Sequence, residues 1–276
     1  MTKDIIENRF RLNSSTKARL FFKSIKENGL LWTGLTGLYY GASAIGDKAF
    51  TLAARLRTKH GLPGMNSVAL NKVIWENWDW SGQGEEWSES VEWKQSVIET
   101  LLKPNIADGS VVVEIGPGAG RWTGDLQARA KRLVGIDLSE ACVRECRKRF
   151  ASCDNVEFRV GSGADLQGVP ATSVDAIWSF DVFVHINKAQ FAAYALEFGR
   201  VLKRGGVGVI QHGAVGGARG GWRSDATAAD VQEYLRAAGL RVRAQVAAWS
   251  YSGQEFKAGL YDDVVTVFER PNTAAA

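Results

Sequence analysis

One stretch constrains this chain more than any other: Val111-Val112-Val113-Glu114-Ile115-Gly116-Pro117-Gly118-Ala119-Gly120. Five residues rich in Val and Ile read as a buried strand. The strand ends in an acid, and a glycine-rich turn follows. Glycine is needed where backbone approaches a ligand closely or takes a positive φ. A second apolar run, residues 133–137, also ends in a carboxylate, Asp137. In open parallel sheets, ligands sit beyond the carboxyl ends of the strands. An acid at the end of the second strand accepts both hydroxyls of a ribose, in charge-assisted bonds worth about 1.5–3 kcal/mol each.

The glycine spacing discriminates between ligands. The dinucleotide fingerprint is G-x-G-x-x-G, with a pyrophosphate over the helix N-terminus. Counted from Gly116, its third glycine falls on Arg121. Glu114 repels a pyrophosphate and attracts a cation. The pattern points to a nucleoside carrying a positive group and no phosphates, and away from a nicotinamide dehydrogenase.

From residue 111 onward, short apolar runs alternate with amphipathic ones. Strands are expected at 111–115, 133–137, 156–160, 175–180, 207–211, 241–246 and 264–268. Helices are expected at 121–130, 140–150, 189–201 and 227–238. This alternation implies an α/β fold, a doubly wound, mostly parallel sheet covered on both faces. The last two strands lack a long helix between them, so the pattern changes at that end. Upstream, a helix is expected from Ser90, with Trp93, Val97, Ile98, Leu101 and Leu102 on one face. Half of the ten tryptophans lie between Trp75 and Trp93, with a loop signal at Ser81-Gly82-Gln83-Gly84. The expected division is a basic, apolar N-terminal helical extension (1–64), a Trp-rich lid and lead-in helix (65–110), a ligand-binding domain (111–270) and a tail (271–276).

Charge separates these parts. The first 60 residues carry eleven Lys/Arg against four Asp/Glu, whereas the other 216 carry 23 against 26. A nucleic-acid domain would spread basic charge over the folded body, so no nucleic-acid partner is expected. Residues 28–46 are uncharged but contain five glycines, which is weak for a membrane span. The open readings are a helical layer on the domain or a partner, a membrane-surface segment over residues 17–59, and a true span. No cleavable leader is expected. Cys142, Cys146 and Cys153 are odd in number and clustered, which argues against a disulfide framework and for a cytoplasmic setting. Their spacing lacks the zinc pattern, and no metal is expected.

These motifs resemble the class I S-adenosylmethionine-dependent methyltransferases. Glu114 to Gly120 looks like the family's first motif, and Asp137 like its ribose-binding acid. Ser179-Phe180-Asp181-Val182-Phe183-Val184-His185-Ile186 resembles the segment after the fourth strand. Arg200 to Gly206 resembles the turn before the fifth, with Arg204 in place of the usual proline. The resemblance implies a Rossmann-like sheet of seven strands, six parallel and the last antiparallel, and S-adenosyl-L-methionine as cofactor. It assigns cofactor binding to Glu114, Gly116, Gly118, Gly120, Asp137, Ser162, Gly163, Phe180 and Asp181. Ser162 stands where many members carry an acid for the adenine amine.

Methyl transfer to a hydroxyl needs a base with a pKa near neutrality. In this fold His185 and His212 lie at strand ends on the cofactor face, and both are candidates. The alternative for each is a packing or helix-start role. Trp87, Trp222 and Arg223 are candidate acceptor contacts. The chain also resembles bacterial methyltransferases associated with surface-polysaccharide pathways. The expectation is O-methylation of a sugar, glycan or other small molecule by a cytoplasmic enzyme, for which the membrane-surface reading of residues 17–59 would add a peripheral place at the inner face of the membrane. A lipid or quinone acceptor and a non-catalytic cofactor-binding scaffold are the alternatives.

Overall fold

The computed structural model describes residues 14–62, 64–216, 223–259 and 261–272. The chain separates into two compact units that divide between Gly61 and Leu62.

The first unit is helical over Ser14–His60 (α1) but broken at Gly29, whose φ of 80° and ψ of 164° are not helical. The chain folds back there. Ser24 Oγ lies 2.9 Å from Thr33 Oγ1, and a Cβ on Gly37 would lie 3.8 Å from the Phe21 ring. In a straight helix residues 21 and 37 would be about 24 Å apart. The unit is therefore an αα-hairpin of two arms, 14–28 and 30–60. No helix among the described residues is long and apolar enough to cross a membrane.

The second unit opens with Val68–Glu76 (α2), capped by Ser67, whose hydroxyl accepts the Leu70 N–H. Val91–Val97 (α3) follows, capped by Ser90. It runs through a π-helical turn, Ile98–Leu102, into Lys103–Asn105 (α4). The wider turn keeps Val97, Ile98, Leu101 and Leu102 together in the core.

The sheet strands are Val111–Ile115 (β1), Arg132–Asp137 (β2), Val156–Val160 (β3), Val174–Ser179 (β4), Leu202–Gly213 (β5), Arg241–Val246 (β6) and Asp263–Glu269 (β9). Between β6 and β9 lies a hairpin, Ala248–Tyr251 (β7) with Gln254–Lys257 (β8), which alternation alone had left blank. The seven-stranded order is β3-β2-β1-β4-β5-β9-β6. Only β9 runs antiparallel, paired with β5 on one side and β6 on the other. The helices are Thr123–Gln127 (α5), Glu140–Arg149 (α6), Lys188–Val201 (α7) and Ala228–Ala237 (α8). Thr227 and Asp230 form a capping box that starts α8. This is the seven-stranded, mostly parallel, Rossmann-like architecture expected of the sequence.

Alternation along β1 splits the core. Val113 and Ile115 face one layer, with Phe191, Tyr194 and Phe198 of α7. Val112 faces the other, with Leu101 and Leu102 of the lead-in helix and Leu126 of α5. Because both faces are covered, β1 reads as an unbroken apolar run. The acids at its end and at the end of β2 are the exceptions.

Candidate active site

The two acids meet at the glycine turn. Asp137 Oδ2 accepts the Gly118 N–H at 3.1 Å, and Oδ1 accepts the Ser139 N–H at 2.9 Å. One carboxylate thus ties the turn after β1 to the turn after β2. Burial raises the Asp137 pKa to about 6 despite those two N–H donors. Glu114 is more deeply enclosed. Its Oε2 accepts the Thr123 hydroxyl at 2.7 Å, while Oε1 is buried with no partner. Burial above all, with the neighbouring Asp137 charge behind it, raises its pKa to about 8. The turn itself cannot carry side chains. Gly116 has φ 66°, and a Cβ there would lie 2.4 Å from Val182. Gly118 has φ 58°, and a Cβ there would lie 2.9 Å from the Trp80 ring.

A cleft of about 600 Å³ opens beyond these strand ends, a size suited to a nucleoside-sized ligand. Of the residues expected to serve the site, Gly116, Gly118, Asp137, Gly163, Phe180, Asp181, His185, Trp87 and Arg223 line it. Glu114 and Gly120 sit behind the turn, where Gly120 packs under Phe150. Ser162 is exposed, and its hydroxyl accepts the Ala164 N–H at 3.2 Å. Gly161 and Gly163, beside it, form that part of the lining. Trp222 lies outside the described residues.

His212 does not reach the cleft. It is 0% exposed. Its Nδ1 donates to the Gly213 carbonyl at 2.8 Å, which leaves Nε2 to accept the Thr266 hydroxyl at 2.7 Å. Burial lowers its pKa to about 4. A ring with both nitrogens engaged offers no lone pair to an acceptor, so this geometry corrects the expectation of a base at His212. The reason is register: β5 continues to Gly213, and position 212 points into the α7 layer against Phe191. His185, by contrast, ends the short helix Phe183–His185 in the cleft wall, with its ring 5.3 Å from Trp75.

The tryptophan-rich segment forms the roof. Trp75, Trp78, Trp80 and Trp87 pack with ring centroids 5.4–6.2 Å apart. Polar ties fix α2 over the strand ends. Glu76 Oε2 accepts the Ser139 hydroxyl at 2.6 Å, two residues from Asp137. Asn71 donates to the His185 carbonyl at 2.9 Å.

Sequence reasoning missed several wall residues. Arg121 is buried, ion-paired with Asp181, and lies 4.8 Å and 5.4 Å from the Trp122 and Trp93 rings. Its Nη2 is buried without a hydrogen-bond partner. The signal was adjacency, since it directly follows Gly120. Asp263 opens β9, pairs with Arg223, and accepts Gln211 Nε2 at 3.0 Å. Gln211 Oε1 in turn accepts the Asp181 N–H at 2.9 Å. Asp263 had no sequence signal, because its strand reads as apolar.

The residues fit S-adenosylmethionine. Each Asp137 oxygen keeps lone-pair capacity for a ribose hydroxyl, and the buried Glu114 Oε1, without a partner, is a carboxyl that a cationic ligand would favour in its ionised form.

Comparison with known proteins agrees. A methyltransferase-domain family model matches residues 112–206. A probable S-adenosylmethionine-dependent methyltransferase of Mycolicibacterium smegmatis is 36% identical over 103 residues, which cover 37% of this chain and 37% of that protein. An uncharacterized methyltransferase of Geobacillus sp. (strain WCH70) is 26% identical over 145 residues, 51% of this chain and 65% of that protein. The matched length is thus under two thirds of either relative. Among solved structures, a Haloferax volcanii putative methyltransferase, in complex with the Trm112 methyltransferase activator, has a TM-score of 0.58. Its identity is 21%, and the match covers 74% of this chain and 99% of that one. That likeness is one of fold. Residues 112–206 are thus similar to S-adenosylmethionine-dependent methyltransferase domains, and the seven-stranded sheet that holds them has the class I methyltransferase fold.

Proposed function

We propose that the protein transfers the methyl group of S-adenosylmethionine to a hydroxyl of a sugar, glycan or other small molecule. The observation that carries this reading is the pairing of two buried carboxylates at the glycine turn with a tryptophan-roofed, charge-lined cleft. When bound, S-adenosylmethionine supplies an electrophilic methyl on a sulfonium. The chain's own residues then have three tasks.

Asp137 grips the ribose while Glu114 supports the cationic side from behind the turn. The roof of Trp75, Trp80 and Trp87 excludes water and offers aromatic faces to the apolar C–H faces of a sugar. The alternating pairs Arg121–Asp181 and Arg223–Asp263 present donors and acceptors of the kind that orient polyhydroxyl ligands. Orientation of this type accounts for roughly 7–11 kcal/mol of barrier in favourable cases. His185 takes the proton of the acceptor hydroxyl.

The folded body's acidic balance disfavours a polyanionic acceptor. A lipid-borne or quinone acceptor is the second reading, favoured by the exposed apolar residues of the first unit.

The test has two stages. Calorimetry measures S-adenosylmethionine binding to the wild type and to Asp137→Asn. Mass spectrometry then seeks a one-methylene gain in sugar, phenol and lipid pools. Binding with transfer to a hydroxylated acceptor supports the proposal. Binding without transfer to any pool would favour a cofactor-binding scaffold, and absence of binding would overturn the reading outright.

A further inference from the structure

The helical hairpin leaves a broad apolar surface uncovered. In the 30–60 arm, Leu31, Leu35, Leu38, Ile45, Leu52 and Leu56 recur at spacings that place them on one face. All six are exposed, Leu31 at 78% and Ile45 at 71%. Trp32, Tyr39 and Phe50, also exposed, extend this face to an arc of about 160° at 100° per residue. Thr36, Ser43, Asp47, Thr51 and Thr58 fall outside the arc, Thr51 and Thr58 nearly opposite its centre. Lys48, Arg55 and Lys59 fall along one edge of the arc, and Arg57, which is buried, falls within it. At the reversal, Leu30 is 70% exposed beside Gly29.

Two occupants compete for this face. A second copy of the hairpin would use a narrow seam of two positions per seven, and the arc is much wider than that. It would also bring like charges together: between residues 14 and 60, eight Lys/Arg stand against two Asp/Glu. An anionic lipid surface meets both features. It accepts a wide apolar face at the acyl boundary and neutralises basic residues along its edge. It also suits the composition. Glycines at 34, 37, 41 and 46 make the arm a poor helix in water, at roughly 1 kcal/mol each, so an environment that covers it steadies it.

We infer that residues 14–60 are a monotopic docking hairpin for anionic bilayer surfaces, lying in the headgroup layer with the Leu31–Leu56 face toward the acyl chains and without crossing. This holds whatever the acceptor, because the surface belongs to a unit separate from the cleft.

The full-length protein is sedimented with phosphatidylcholine vesicles, with and without phosphatidylglycerol. Binding is expected to the anionic vesicles, with loss at about 0.5 M NaCl, where screening is strong. Lys48→Glu/Arg55→Glu/Lys59→Glu should weaken partitioning by about a hundredfold or more, since each basic residue contributes roughly fivefold and reversal adds repulsion. Leu31→Asp/Leu38→Asp should weaken it about tenfold or more. Circular dichroism checks helix content, and the charge-reversed variant decides the matter if the apolar variant fails to fold. The inference is overturned by wild-type protein that stays in the supernatant, by equal binding to uncharged vesicles, or by folded variants that sediment like the wild type. It is also overturned by a stable dimer that Leu31→Asp/Leu38→Asp separates. Because the readout is sedimentation, its failure leaves the methyl-transfer proposal standing, and the reverse is equally true.

Discussion

Glu114→Gln offers the sharpest perturbation of the site, because its effects on stability and on binding have opposite signs. Burial holds the Glu114 pKa near 8 in the folded, ligand-free protein, against about 4.5 in an unfolded chain. The folded state then binds more protons than the unfolded one between those values. Stability therefore falls as pH rises through that window. For this group alone the loss is about 2 kcal/mol between pH 6 and pH 8. Asp137, raised to about 6 by burial, contributes mainly below that range. Glutamine keeps an acceptor for the Thr123 hydroxyl but has no proton to lose. Urea unfolding at several pH values should give a declining midpoint for the wild type and a flatter profile for Glu114→Gln. The variant should gain stability over the wild type as pH rises toward 8. Binding should move the other way. A cationic ligand favours the ionised acid, so wild-type affinity should rise with pH and binding should release a proton. Calorimetry in buffers of different ionisation enthalpy measures that release, which the glutamine variant should lack. Parallel stability profiles for the two proteins, together with equal proton release, would refute the reasoning.

Asp137→Asn removes an acceptor for two ribose hydroxyls, at about 1.5–3 kcal/mol each, so affinity for S-adenosylmethionine should fall a hundredfold or more. Unchanged affinity by calorimetry would exclude the ribose role. His185→Ala should cut turnover by roughly 10²–10⁴-fold with little change in cofactor affinity, as steady-state kinetics on an identified acceptor would measure. His212→Gln should leave kinetics intact and cost about 1–3 kcal/mol of stability through its broken buried hydrogen bonds. The wild type should also lose stability as pH falls from about 6.5 toward 4, because the buried ring resists protonation. Denaturation profiles should show that acid-side loss flattened in the variant.

The legible parts of this protein were those written in local sequence. Glu114, the glycine turn and Asp137 announced themselves because a carboxylate at the end of an apolar strand is costly unless used. The strand and helix alternation read correctly for the same reason: burial on two faces makes parallel strands continuous apolar runs. What sequence hid was register and long-range pairing. His212 looked like a strand-end residue, but β5 extends past it, and one position decides which layer a side chain enters. Asp263 became a wall residue only through Arg223, forty residues away in sequence, and Gln211. The hairpin in the first unit also escaped notice, because a single glycine can either continue a helix or reverse it.

The contact between Trp80 and Gly118 has a consequence for how this protein tolerates change. An indole seated on the glycine turn makes roof and floor one mechanical piece. Gly118→Ala would displace Trp80 and strain the hydrogen bond from its Nε1 to the Trp75 carbonyl. The disturbance would then pass into the neighbouring indoles, where a shift in tryptophan emission should report it before any ligand is added. Drift in the loop and drift in the covering aromatic are thus bound together: neither can change shape alone without leaving the other a gap or a collision.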